Sequence, residues 1–174
     1  MAKRRGRETL GDMARTAAIF LVIIVAAVAF LPKSHHPGSQ RVDYSGPLQV
    51  LRAAAPFAVL APNGLPADWS ATNVRTHVPS PSDQSTSFHL GFYIAGADAY
   101  ASYEQSDAPD LVTRVLGTRA RPTGLTDIAG RAYQTWTEGS GLPAFVGPGP
   151  GRSRVILTGK GAVQALRTLA AALH

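Results

Sequence analysis

Cysteine is absent from this 174-residue chain. Its absence removes disulfides, thiol catalysis and thiolate metal sites, and with them the residue to which a lipid anchor would be attached. Charge is scarce, at 16% of residues, and aromatics make up only 7%. Acidic residues are the scarcer sign: 11 Asp and Glu stand against 17 Lys and Arg, a formal charge of +6. Taken alone, that excess would suggest nucleic acid as a partner, but its distribution argues otherwise. Lys3, Arg4, Arg5, Arg7 and Arg15 crowd the N-terminus against Glu8 and Asp12, whereas from Arg41 onward eleven basic residues meet nine acidic ones. The part of the chain able to fold is nearly balanced, and no nucleic-acid partner is expected.

No charge interrupts the run from Ala17 to Leu31, AAIFLVIIVAAVAFL. As a helix these residues reach about 22 Å, short of the roughly 30 Å hydrocarbon core of a bilayer. Extension over residues 13–32 closes the gap, with Arg15 snorkelling to the headgroups. A cleavable signal peptide is the competing reading, because Ala27-Val28-Ala29 has the small-x-small form of a cleavage site. That tripeptide lies inside the apolar run, with Phe30 and Leu31 still to follow, which favours a retained anchor. Positive charge on the N-terminal flank keeps that end in the cytoplasm and puts everything beyond Pro32 outside. The expected organisation is a cytoplasmic basic tail (1–12), a single transmembrane helix (13–32), a linker (33–43) and an extracytoplasmic domain (44–174) at the cell membrane. The alternative is a domain secreted after cleavage.

Within the domain, Pro47 opens a short helix over 47–55, with Leu48, Leu51 and Ala55 on one face and Pro56 as its stop. A strand is expected over 69–78. In the next one Phe88, Leu90, Phe92 and Ile94 alternate with Ser87, His89, Gly91 and Tyr93. A third covers 100–105, antiparallel to the second. Asp107 or Ala108, Pro109 and Asp110 then open a helix that Gly117 ends, with a stripe of Leu111, Val112, Val115 and Leu116. Strands follow over 128–138, 142–146 and 154–158, the last two joined by GPGPG, and a closing helix spans 162–173. The fold class is α+β: an antiparallel sheet of about five to six strands with helices on one face, read as a two-fold repeat of structure without a repeat of residues.

Several short motifs carry a resemblance. Gly64-Leu65-Pro66-Ala67-Asp68-Trp69, Leu90-Gly91-Phe92-Tyr93, Tyr103-Glu104-Gln105-Ser106, the Trp136 strand and Thr158-Gly159 before the last helix follow the basic-plus-apolar segment in order. The chain resembles the domain of unknown function 4245 family, small envelope proteins of high-GC Gram-positive bacteria, over nearly its whole length. The resemblance implies an N-terminal membrane segment and an extracytoplasmic domain. It implies no activity and carries over no catalytic residue.

Candidate chemistry is sparse. Gly159-Lys160-Gly161 lacks the spacing of a phosphate loop, and Pro148 and Pro150 remove the amides with which GPGPG would cradle an anion. Gly139-Ser140-Gly141 lacks the form of a nucleophile elbow, although His77 and His89 supply imidazoles. Those two histidines have no evident third metal ligand, and the adjacent pair His35-His36 reads as solvated linker. Glu104, Asp107 and Asp110 contain the makings of a carboxylate pair for sugar hydrolysis, but acidic residues at a helix start have a structural role. No catalytic, cofactor-binding or metal-binding residues are assigned, and no cofactor is expected. Tyr93, Tyr133 and Trp69 are the aromatics that would form a ligand platform on an open sheet face. The expected function is non-enzymatic: a domain that binds or scaffolds an envelope component or membrane-protein partner. An extracytoplasmic hydrolase of wall or lipid substrates is the alternative.

Overall fold

A computed structural model of the chain describes Met13 and residues 15–21, 41–161 and 163–174. Two units are distinguished, Met1–His36 and Pro37–His174. In the first, Met13 and residues 15–21 are helical and exposed. Among the described residues no helix is long and apolar enough to cross a membrane. The expected transmembrane helix falls mostly on residues 22–32, which lie outside the described ones, as does His35-His36.

The second unit is built on seven antiparallel strands: β1 (Trp69–His77), β2 (Ser87–Ile94), β3 (Ala99–Ser106), β4 (Arg121–Ile128), β5 (Arg131–Thr137), β6 (Pro143–Pro148) and β7 (Arg154–Lys160). Their order across the sheet is β1-β2-β3-β7-β6-β5-β4. Two meanders, β1 to β3 and β4 to β7, are therefore zipped together where β3 meets β7, with Tyr103 opposite Leu157. Among the described residues three α-helices complete the unit, α1 (Ser45–Ala54), α2 (Leu111–Leu116) and α3 (Val163–Ala172), with one 3-10 turn at Ala95–Ala97. Ala55 ends α1 in an extended conformation (φ −73°, ψ 141°), the geometry a residue before proline prefers.

The α+β class stands, but the strand count is seven rather than five or six. The expected single strand over 128–138 is corrected to a hairpin, β4–β5, turning at Ala129 (φ 53°) and Gly130 (φ 76°). Strand β4 is an edge strand, exposed along most of its length and broken by a register shift between Pro122 and Gly124. Proline and glycine there disrupt the alternation that marks a strand, and an edge tolerates them.

The expectation that the helices share one face is also corrected. Leu48 and Leu51 of α1 and Leu166, Leu169 and Ala170 of α3 pack on Phe88, Leu90, Tyr103, Phe145, Val155 and Leu157. Leu111 and Leu116 of α2 pack on Ala144, Val146 and Ile156. Since Ile156 lies between Val155 and Leu157 on one strand, α2 covers the opposite face. It is only six residues long, so it shields the centre of that face and leaves both flanks uncovered.

Gln105 is the polar anchor of the main core and has no exposed surface. Its Oε1 accepts the Leu60 amide at 2.9 Å and lies 2.7 Å from the Tyr103 hydroxyl. Its Nε2 donates to the Ala58 carbonyl at 3.0 Å and to Ser153 Oγ at 2.9 Å. A buried amide with all its groups engaged fixes the loop before β1 and the GPGPG turn against the sheet.

Candidate functional site

Beside α2, strands β1, β2, β3 and β7 present an uncovered groove of about 620 Å³. Its floor is set by Gly91, the one glycine in the regular alternation of β2. A Cβ at Gly91 would stand 3.3 Å from the Asn73 Cβ, 3.9 Å from Thr72 Oγ1 and 3.9 Å from His89 Nε2. The missing side chain is thus the space those groups face. A register shift between Ala71 and Asn73 makes Thr72 an extra residue in β1, so both Thr72 and Asn73 line the groove. Opposite Gly91 stands Ser102, whose Oγ is 2.8 Å from Thr158 Oγ1. Tyr100, Lys160 and Glu138 complete the polar lining at one end.

At the other end a second cavity of about 360 Å³ is lined by Arg75, His77, His89, Glu104 and Arg114. Glu104 is placed by β3 directly across from His89 on β2. Its Oε2 is 3.4 Å from His89 Nδ1, and its Oε1 is 3.5 Å from an Arg114 Nη supplied by α2. The His89 contact is close enough for an ion pair but lacks hydrogen-bond alignment. His77 stands likewise 3.2 Å from Asp83, whose carboxyl is held below its ordinary pKa chiefly by the Ser85 hydroxyl and amide. Among the described residues, no three His, Asp or Glu side chains converge as metal ligands.

On the other flank of α2 lies a third cavity of about 680 Å³, where Trp136, Leu125 and Pro148 are joined by Arg152 and Arg154. Trp136 is half-buried, its indole N–H donating to Gln134 Oε1 at 3.3 Å.

The residues singled out in the sequence scatter. Trp69 is buried against Phe92, their ring centroids 5.9 Å apart, and Tyr133 is fully buried against Phe145 at 6.3 Å. Neither offers a surface to a ligand. Tyr93 is half-buried on the open face, 5.2 Å from the Tyr100 ring, and its hydroxyl donates to Asp98 at 2.9 Å. That bond raises the Tyr93 pKa above its ordinary value. Ser140 donates to Glu138 rather than to a histidine. Asp107 accepts the Thr86 amide at 2.7 Å, and Asp110 begins α2 without a side-chain cap. Neither shares a cavity with Glu104. Sequence reading missed Ser102, Thr158, Arg75 and Arg114 as a constellation. The available signal was parity, since the polar positions of β2 and β3 share one face with the glycine between them.

A family model described as a protein of unknown function (DUF4245) matches residues 5–173, so the chain belongs to that family. No curated protein matches it.

Proposed function

We propose that this chain is a single-pass membrane protein, anchored through residues 17–31, whose extracytoplasmic domain binds or scaffolds an envelope component without chemistry. The observation that carries this reading is the groove over Gly91. It is open, and its hydroxyl, amide, Lys160 and Glu138 groups stand beside apolar surface from Val115 and Leu142, a mixed lining that suits a hydroxylated ligand with apolar faces. Its hydroxyls bond to each other and to backbone, as Ser102 does to Thr158, and among the described residues neither of the two is hydrogen-bonded to a base.

A hydrolytic reading has one observation in its favour. His89 turns Nδ1 toward Glu104 and Nε2 toward the hollow over Gly91, the orientation of a general base. It requires Ser102 or a water to leave its present partners and meet Nε2.

Photo-crosslinking in the native envelope tests the binding reading. A photoreactive residue at Thr158 should capture one discrete species, whereas the same residue at Val50, exposed on α1, should not. Equal labelling from both positions, or none, overturns it. The hydrolytic reading requires in addition that His89→Gln stop turnover of the captured species while binding persists.

A further inference from the structure

We infer that the end of the groove beside α2 is an oxyanion site that takes the phosphate ester of an extracytoplasmic ligand. This rests on the binding reading and names the chemistry of its ligand. Arg75 from β1 and Arg114 from α2 line one cavity of about 360 Å³, with His77 and His89 beside them and Glu104 as its carboxylate. Glu104 is the one carboxylate in the lining for the two guanidiniums, and Asp83 acts on Arg114 and His77 from beside it. Glu104 turns one oxygen toward Arg114 and the other toward His89, at ion-pair distance and without a hydrogen bond to His89. Asp83 reaches His77 but is itself bound by the Ser85 amide at 2.9 Å. Arg75 has no ion pair or side-chain hydrogen bond among the described residues.

A guanidinium without a partner, facing a cavity with a second guanidinium, favours an anion. The contacts of Glu104, 3.4 and 3.5 Å, are longer than the roughly 2.7–2.9 Å of charge-assisted hydrogen bonds. A ligand carboxylate brings one charge and two oxygens, enough for one guanidinium. A phosphate ester brings three acceptor oxygens and more than one negative charge near neutral pH, enough to engage both arginines at once. The adjoining hydroxyl-lined groove, with Thr72, Asn73, Ser102 and Thr158, would take the hydroxylated skeleton that bears the phosphate. Two sources share this monoester chemistry, a phosphatidic-acid headgroup and a phosphorylated polyol or glycan.

Calorimetric titration of the full chain in neutral detergent tests the inference. The probes are glycerol phosphate, dihexanoylphosphatidic acid below its micelle concentration, glucuronate and glycerol. Saturable binding of glycerol phosphate supports the inference and assigns the polyol source. Binding of the short lipid alone supports it and assigns the headgroup. Arg75→Gln and Arg114→Gln should each weaken phosphate binding about tenfold, while Arg121→Gln on the edge strand leaves it unchanged. Far-UV dichroism and the thermal midpoint establish that each variant is folded. The inference is overturned if no phosphate probe binds, if glucuronate binds as tightly, or if folded Arg75→Gln and Arg114→Gln bind like the parent. Should Thr158 still capture a discrete species in that event, the binding reading survives and only the oxyanion site is lost. Loss of both results removes both.

Discussion

Glu104 and Gln105 are adjacent on β3, yet their side chains serve opposite faces of the sheet. Glu104 stands in the cavity with His89 and Arg114, and Gln105 is sealed in the core with Leu60, Ala58 and Ser153. The Tyr103-Glu104-Gln105-Ser106 motif therefore combines a structural lock with one member of the candidate site.

Substitutions at the two positions should separate accordingly. Gln105→Ala strands the buried Leu60 amide, leaves the Tyr103 hydroxyl only its bond to the Leu60 carbonyl and opens a cavity, and should cost about 3–5 kcal/mol in urea unfolding. Glu104→Gln leaves groups that reach solvent, Arg114 being 43% exposed, and should change stability by less than about 1 kcal/mol. Equal losses at both positions would refute the division.

Gly147 is fixed by its neighbour. A Cβ there would lie 2.5 Å from the Tyr133 ring, which has no exposed surface and nowhere to move. Gly147→Ala should destabilise by about 1–3 kcal/mol through overpacking, and Tyr133→Leu in the same chain should recover part of that loss. Thermal unfolding of the single and double variants gives the coupling.

Alkaline pH should unfold the domain through its buried phenols. Burial raises the pKa of Tyr103 well above the ordinary value of 10.0, and burial is also the main cause of the upward shift at Tyr133. A group with a raised folded pKa contributes stability that is complete below its unfolded pKa and is lost as pH rises through the folded one. Stability should therefore fall above about pH 10. Phenolate absorbance should show Tyr103 and Tyr133 ionising only together with unfolding. Ionisation of all five tyrosines in a folded domain would contradict this.

The anchor is tested by fractionation of a C-terminally tagged chain. The full-length product should pellet with membranes and resist carbonate extraction. A soluble tagged fragment beginning near Phe30 would establish cleavage instead.

Several elements were legible because local physics suffices for them. The alternation of Phe88, Leu90, Phe92 and Ile94 gives β2 to the residue, and each of the four is buried. Pro56 and Gly117 mark the ends of α1 and α2, Gly117 through its positive φ of 79°. Strand β4 was not legible. Its partner supplies the pairing that its own sequence, with Pro122 and Gly124, does not advertise. The turn at Ala129-Gly130 was hidden because alanine seldom takes a left-handed conformation and gives no turn signal there.

The sequence by itself determined the charge asymmetry, the apolar N-terminal run, the α+β class and the family, since each depends on composition, periodicity or short motifs. The tertiary structure alone decided which face α2 covers, and hence which polar residues stay open. It buried Tyr133 and Trp69, left Tyr93 beside Tyr100, and gathered Arg75, His89, Glu104 and Arg114 from four elements into one cavity. Strand order and side-chain parity fix those neighbours, and both arise from pairings between residues distant in the chain. No local window contains them.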